Sequence, residues 1–135
     1  MISDLPPFAL SIRQPWAWAI IHAGKDVENR LWRTRFRGLV CIHAAKGIGS
    51  RYEFAGSREF IIGRNPANSP PQPEQIERGG IVGVAEVVAC VETSESPWFF
   101  GCYGFVLRNP RQVPFVPVKG ALGFFRWREL IGGAG

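Results

Sequence analysis

Lys25, Glu28 and Arg30 stand close together in the stretch GKDVENR. If the chain is extended there, Glu28 and Arg30 fall on one strand face and Lys25 sits just before them, so one carboxylate can meet two cations. Such a cluster can bind a polar ligand or move protons, and it can equally be a solvated surface pair. Trp16 and Trp18 precede it by one short apolar segment, which brings an aromatic face within reach of the charges.

A second candidate is RLWRTRFRG, residues 30–38, in which Arg30, Arg33, Arg35 and Arg37 are interleaved with Trp32 and Phe36. Arginine offers forked donors to phosphate oxygens and aromatic faces stack on unpaired bases, the mixture that single-stranded nucleic acid requires. With Lys46 and Arg51, six basic residues and no acidic one lie between positions 30 and 51. The plainer alternative is a solvated arginine-rich edge with Trp32 in the core. In IHAAKG, residues 42–47, His43 lies in an apolar run with Lys46 at its exit; it reads first as a satisfied core histidine, although its pKa suits proton transfer near neutrality.

His22 and His43 share no ligand spacing, and Cys41, Cys90 and Cys102 are odd in number without a CxxC pair. Neither a metal site nor a disulfide framework is expected, and the thiols read as buried. No GxSxG elbow, Walker loop, GxGxxG fingerprint or HExxH pair occurs, so no cofactor is expected.

The elements that must position these groups follow from periodicity. Pro15 suits the first turn of a helix, Trp16, Ala19, Ile20 and Ala23 recur at helical spacing, and Gly24 is placed to end it, so Pro15 to Ala23 reads as a short buried helix. Period two then takes over, with Glu28, Arg30, Trp32 and Thr34 on one side. Residues 38–45 and 80–91 read as central strands, 103–109 and 121–127 as two more, and the region of Pro114 and Pro117 as an edge or bulged strand. Glu86 interrupts its strand either to face solvent or to meet a cation such as Lys25 or Arg30. Residues 50–62 form a possible second helix with Tyr52, Phe54 and Phe60 available for packing, and the four prolines of residues 63–80 suggest a long surface loop with little to offer a core. The aromatic segment 96–104 reads either as a cover for a cleft, with Trp98 as its most exposed candidate, or as hydrophobic packing under a turn.

Together these elements predict an α+β, mainly β fold: a small, partly closed β-barrel with one or two short helices beside it. At 135 residues, 46% hydrophobic and 20% charged, the chain suits one domain over residues 1–135. The net charge of +5 fits a polyanion-binding protein as well as many ordinary small ones. No apolar run approaches the roughly 20 residues of a membrane span, and MISDLPPF lacks the pattern of a signal peptide, so the expected location is the cytoplasm.

QPWA, GKDVENRLWRTRFRG and IHAAKG, followed by GGIVGVAEVVACV and the SPWFFGCYGFVL to VKGALGFF region, occur in an order that resembles the ASCH domain family of the PUA-like superfamily, over about residues 9–127. The resemblance implies a PUA-like barrel with a cleft beside the first helix and a role in binding RNA or other nucleic acid; with the arginine and aromatic mixture, the expected partner is RNA or single-stranded nucleic acid. Carried onto this sequence, the cleft is lined by Gln14, Trp16, Lys25, Glu28, Arg30 and Thr34, with Lys46 at its rim. Some members of the family are ribonucleases or hydrolyse N4-acetylcytidine with a lysine, a threonine and a glutamate. In the amidohydrolase pattern the threonine lies three residues after the lysine, where this chain has Glu28. A rearranged Lys25, Glu28 and Thr34 site is the catalytic alternative, with lysine lowering the threonine pKa or holding an oxyanion and glutamate moving protons.

Overall fold

A computed structural model describes residues 2–131. Between 3-10 turns at Ile2–Asp4 and Trp127–Leu130 run β1 (Phe8–Ile12), α1 (Trp16–His22), β2 (Val27–Arg30), β3 (Gly38–Ala44), α2 (Arg51–Arg64), β4 (Gly80–Val91), β5 (Tyr103–Pro117) and β6 (Phe124–Arg126). The strands form one sheet in the order β2-β5-β4-β3-β1-β6, in which only β1 and β3 are parallel neighbours. It curls into the half-barrel that the PUA-like resemblance implies, with α1 packed on β3, β4 and β5.

Both faces of the central strands are covered, which is why β3 and β4 read as continuous apolar runs rather than alternating ones. On one face Leu10, Ile12, Ile20, Val40, Ile42, Val87 and Phe105 form the core beneath α1. On the other, Ala9, Cys41, Ile81, Val84, Phe125 and Trp127 pack together. At Gly83 a Cβ would stand 2.3 Å from Ile21 Cδ1 and 2.7 Å from the Arg111 carbonyl oxygen, so the bare backbone lets α1 settle onto β4.

The two edges of the curled sheet approach without pairing. At the end of β2 the Arg30 guanidinium donates to the Ser11 carbonyl of β1 at 2.8 Å. Rings fill the rest of the opening: Phe36 stacks on Phe124 at 4.3 Å between centroids, Phe105 on Phe124 at 5.8 Å, and Trp32 meets both Phe105 and Phe124 edge-on.

Several expectations are corrected by the structure. β1 is not anticipated at all. Extended pairing after Gly24 stops at Arg30, whose partner Tyr103 is the first residue of β5; the chain before it bends at Gly101 and Cys102 and offers no strand to pair with, so Thr34 shares no strand face with Glu28. The strand seen at 103–109 and the proline-bearing segment after it are one strand, bulged against β4, and the prolines occupy the stretch where β2 has already ended. β6 is three residues long rather than seven.

The second helix exists and carries a Ser50–Glu53 capping box, but Tyr52 is 89% exposed and only Phe54, Phe60 and Ile61 pack. The loop at 65–79 does enter the interior, with Pro70, Pro73 and Ile76 buried, and its Asn65 and Asn68 amides donate to the Ala23 and His22 carbonyls at the end of α1. Trp98 is only 5% exposed; Phe100, at 66%, is the ring that faces out. Glu86 is partly exposed and accepts from Asn109 at 3.4 Å. Among the described residues no helix is long and apolar enough to cross a membrane.

Candidate functional site

The site begins where α1 ends. Ala23 and Lys25 both return their N–H groups to the Ala19 carbonyl, and Gly24, at φ +78°, turns the chain out of the helix in a conformation that disfavours a side chain. Lys25 is thereby buried, with its ammonium donating to the Val27 carbonyl and, at 3.3 Å, to Glu28 Oε1. On β2 the other carboxylate oxygen, Glu28 Oε2, accepts from Arg30 Nε at 3.1 Å and lies 3.0 Å from Arg30 Nη2. Glu28 is held between two cations and leaves the cluster one positive charge in excess.

Aromatic rings wall this cluster. Trp16, Lys25, Glu28, Asn29, Trp98 and Phe100 line a hollow of about 260 Å³, below the roughly 300–1,000 Å³ of drug-sized ligand sites and suited to one planar ring. The Lys25 ammonium sits 5.8 Å from the Trp16 ring centroid. From α2, Phe60 supports the wall by edge contacts with Trp16, Trp98 and Phe100. Asn29 fixes the aromatic loop to β2: its amide donates to the Trp98 carbonyl at 2.9 Å and its oxygen accepts the Phe100 N–H at 2.8 Å. A more open hollow adjoins along Glu28 and Asn29 and continues past Arg30, Trp32, Arg13 and Ser11.

Of the residues singled out in the sequence, Trp16, Lys25, Glu28 and Arg30 converge. Gln14 is buried on another side of α1, where its oxygen accepts the Trp18 N–H and its amide donates to the Glu77 carbonyl, each at 2.9 Å. Thr34 is buried in the loop after β2; its hydroxyl accepts the Phe36 N–H at 3.0 Å, and it lines neither hollow. Arg33, Arg35 and Arg37 are exposed on that loop, Arg33 pairing with Glu92 at 3.4 Å over the Tyr103 ring and Arg37 donating to the Thr34 and Phe36 carbonyls. Lys46 is exposed beside a third hollow that begins at Ser11.

His43 is a core residue. Nε2 lies 2.7 Å from the Val118 carbonyl, which can only accept, so it carries the proton and Nδ1 accepts the Ser11 hydroxyl at 2.9 Å. Burial pushes its pKa below the ordinary histidine value, against the opposing pull of the Val118 carbonyl. The Cys41 thiol is likewise pushed up to about 12 by burial, which leaves it a thiol at neutral pH. An apolar groove of about 540 Å³ between Ile2, Leu5 and residues 111–117 lies apart from the charged cluster.

Asn29, Phe100, Ser11 and Arg13 were missed in the sequence. Asn29 carried a usable signal, its place between two cleft residues on a strand; Phe100 and Ser11 join the site only through contacts distant in sequence.

Comparison with known proteins agrees with the motif pattern. Activating signal cointegrator 1 from Homo sapiens is 26% identical over 130 residues, covering 84% of this chain, and the chain spans about a fifth (21%) of that protein's length. The ASCH domain model matches residues 10–101, which include the arginine-bearing loop and all six residues that line the aromatic-walled hollow. The chain belongs to the ASCH domain family.

Proposed function

We propose that the chain binds single-stranded nucleic acid, RNA in particular, and seats one unpaired base in the hollow between Trp16 and Phe100. The observation that carries this reading is a carboxylate held between two cations, Lys25 in an aromatic-walled hollow and Arg30 in the open hollow that adjoins it. Burying these charges costs solvation that an apolar filling would avoid. A nucleobase edge makes use of them, since its amino group can donate to Glu28 while its carbonyl accepts from Lys25 or Arg30. Aromatic faces supply stacking, the usual mode for splayed-out bases in RNA. The exposed Arg33, Arg35 and Arg37 add attraction for phosphates outside the hollow.

The test is anisotropy of labelled mixed-sequence single-stranded RNA and DNA against salt. Affinity is expected to fall as salt rises and to weaken sharply in Lys25→Ala. Absence of salt-sensitive binding to either at micromolar protein overturns the reading. The hydrolytic alternative ranks second because the Thr34 hydroxyl is engaged by Phe36 rather than by Lys25. Turnover of N4-acetylcytidine or of labelled RNA, with or without Mn²⁺, that disappears in both Lys25→Ala and Thr34→Ala would reverse that order.

A further inference from the structure

Ser11 faces two hollows. Its carbonyl takes the Arg30 guanidinium, while its hydroxyl donates to His43 in a neighbouring hollow of about 550 Å³. Lys46 and Lys119 stand on the lining of this second hollow, with Gly79, Val118 and Gly120 contributing wall. Ser11 and Ala45 line both it and the open cleft past Arg30, so the two join as one trough.

The chemistry of the trough differs from end to end. Near Trp16 and Phe100 there are rings and a carboxylate; among the described residues that line the hollow at Lys46 and Lys119 there is no exposed ring and no carboxylate. The buried imidazole of His43 is neutral, so the positive charge on the lining comes from the two lysines, with the Arg78 guanidinium close by, donating to the Lys46 carbonyl at 2.8 Å. Among the described residues neither lysine has a carboxylate within ion-pair distance, whereas Arg13, Arg33 and Arg51 each do. Gly120 keeps the wall flat: a Cβ there would stand 2.9 Å from His43 Cε1 and 3.1 Å from Ser11 Oγ. Two mobile ammonium groups over bare backbone suit a phosphate, which carries charge and no sequence information.

We propose that the Lys46–Lys119 hollow holds backbone phosphate of the same strand whose base occupies the Trp16 hollow, so that the trough takes at least a dinucleotide. This rests on the base-binding reading and adds a division of labour, base recognition at one end and phosphate grip at the other.

The experiment compares the parent protein, Lys46→Ala/Lys119→Ala, Lys25→Ala, and Arg108→Ala/Arg111→Ala as a charge-matched control outside the trough. Probes are mixed-sequence single-stranded RNA of two to eight nucleotides and a mixture of the four free nucleosides, with thermal unfolding to confirm that each variant is folded. The double lysine variant is expected to bind RNA about tenfold more weakly, two exposed ion pairs together being worth roughly one decade. Its log affinity against log salt should flatten by about 1.4, at about 0.7 per lost phosphate contact. Nucleoside binding should not change, and the arginine control should match the parent. RNA affinity and slope equal to the parent's, with Lys25→Ala still weakening nucleosides, overturn the phosphate site and leave the base hollow standing. Equal weakening in the arginine control also overturns it, by reducing the effect to net charge. No binding of any probe by the parent overturns both readings.

Discussion

In residues 16–30 the Trp16 ring lines a hollow beside which opposite charges meet, whereas in residues 31–37 the rings fill the open side of the sheet and the arginines are exposed. Both stretches mix cations with tryptophan or phenylalanine, and composition alone would rank the second higher. Backbone geometry separates them. A helix end, a left-handed glycine and a four-residue ladder fix Lys25, Glu28 and Arg30 in one place. After Arg30 the ladder has no partner, so the chain is held by its rings instead, and the arginines between them diverge. On the proposed reading, convergence of unlike charges in a concave place is what singles out the first stretch, where density of one charge would have singled out the second.

The sharpest way to break this contrast is Glu28→Ala, which leaves Lys25 buried opposite Arg30 with no counter-charge. A loss of about 3–5 kcal/mol is expected in urea unfolding, the usual result of removing one partner of a buried ion pair. A loss below about 1 kcal/mol would reclassify the cluster as solvated.

Next come Trp32→Ala and Phe36→Ala, expected to cost about 2 kcal/mol each, less than a fully buried ring because Trp32 is 39% exposed. RNA affinity should survive Phe36→Ala, weaken modestly in Trp32→Ala, whose ring also lines the open hollow, and fall most in Trp16→Ala. If Trp32→Ala weakens RNA binding as much as Trp16→Ala, the division between lining and plugging rings fails.

His43 gives a smaller effect that depends on pH. Its pKa is lowered in the folded state, so the unfolded chain binds more protons once pH drops below the ordinary value near 6.5. Its contribution is intact above that value and is lost as pH falls toward the folded pKa, at no more than about 1.4 kcal/mol per pH unit. His22, also lowered by burial, adds in the same direction. Stability measured from pH 7 to 5 should fall less steeply in His43→Gln than in the parent.

Smallest is Arg35→Ala, expected to change stability by less than about 0.5 kcal/mol while flattening the salt dependence of RNA binding by about 0.7. An unchanged slope would remove this arginine from the path of the phosphates.

The core helix and the two central strands were legible in the sequence because each carries its own signal: Pro15 and Gly24 around helical spacing, and long β-rich runs in β3 and β4. The pairing of Glu28 with its neighbours could be read from spacing two and three residues apart. β1 could not be separated from the proline-flanked chain around it, since its parallel neighbour β3 is about thirty residues away and supplies the context its five residues lack. The choice between packing and exposure for Trp98 is open in the sequence for a related reason. Aromatic loops look exposed in sequence, and only the packing of α2 through Phe60 and Ile61 decides which ring turns inward.

The Arg30 to Ser11 contact has a dynamic consequence. A seam held by one guanidinium and a few rings can part without severing a backbone ladder, at a cost near that of one charged hydrogen bond, about 1.5–3 kcal/mol, plus the separation of the rings. Amide exchange should therefore be fast, through local opening, for the side of β2 that faces the seam, and slow for β3 and β4, which exchange only when the whole domain unfolds. Opening at this seam would follow the same line along which the proposed strand lies, so a bound oligonucleotide would act as a stitch and would slow exchange in β2 before anywhere else.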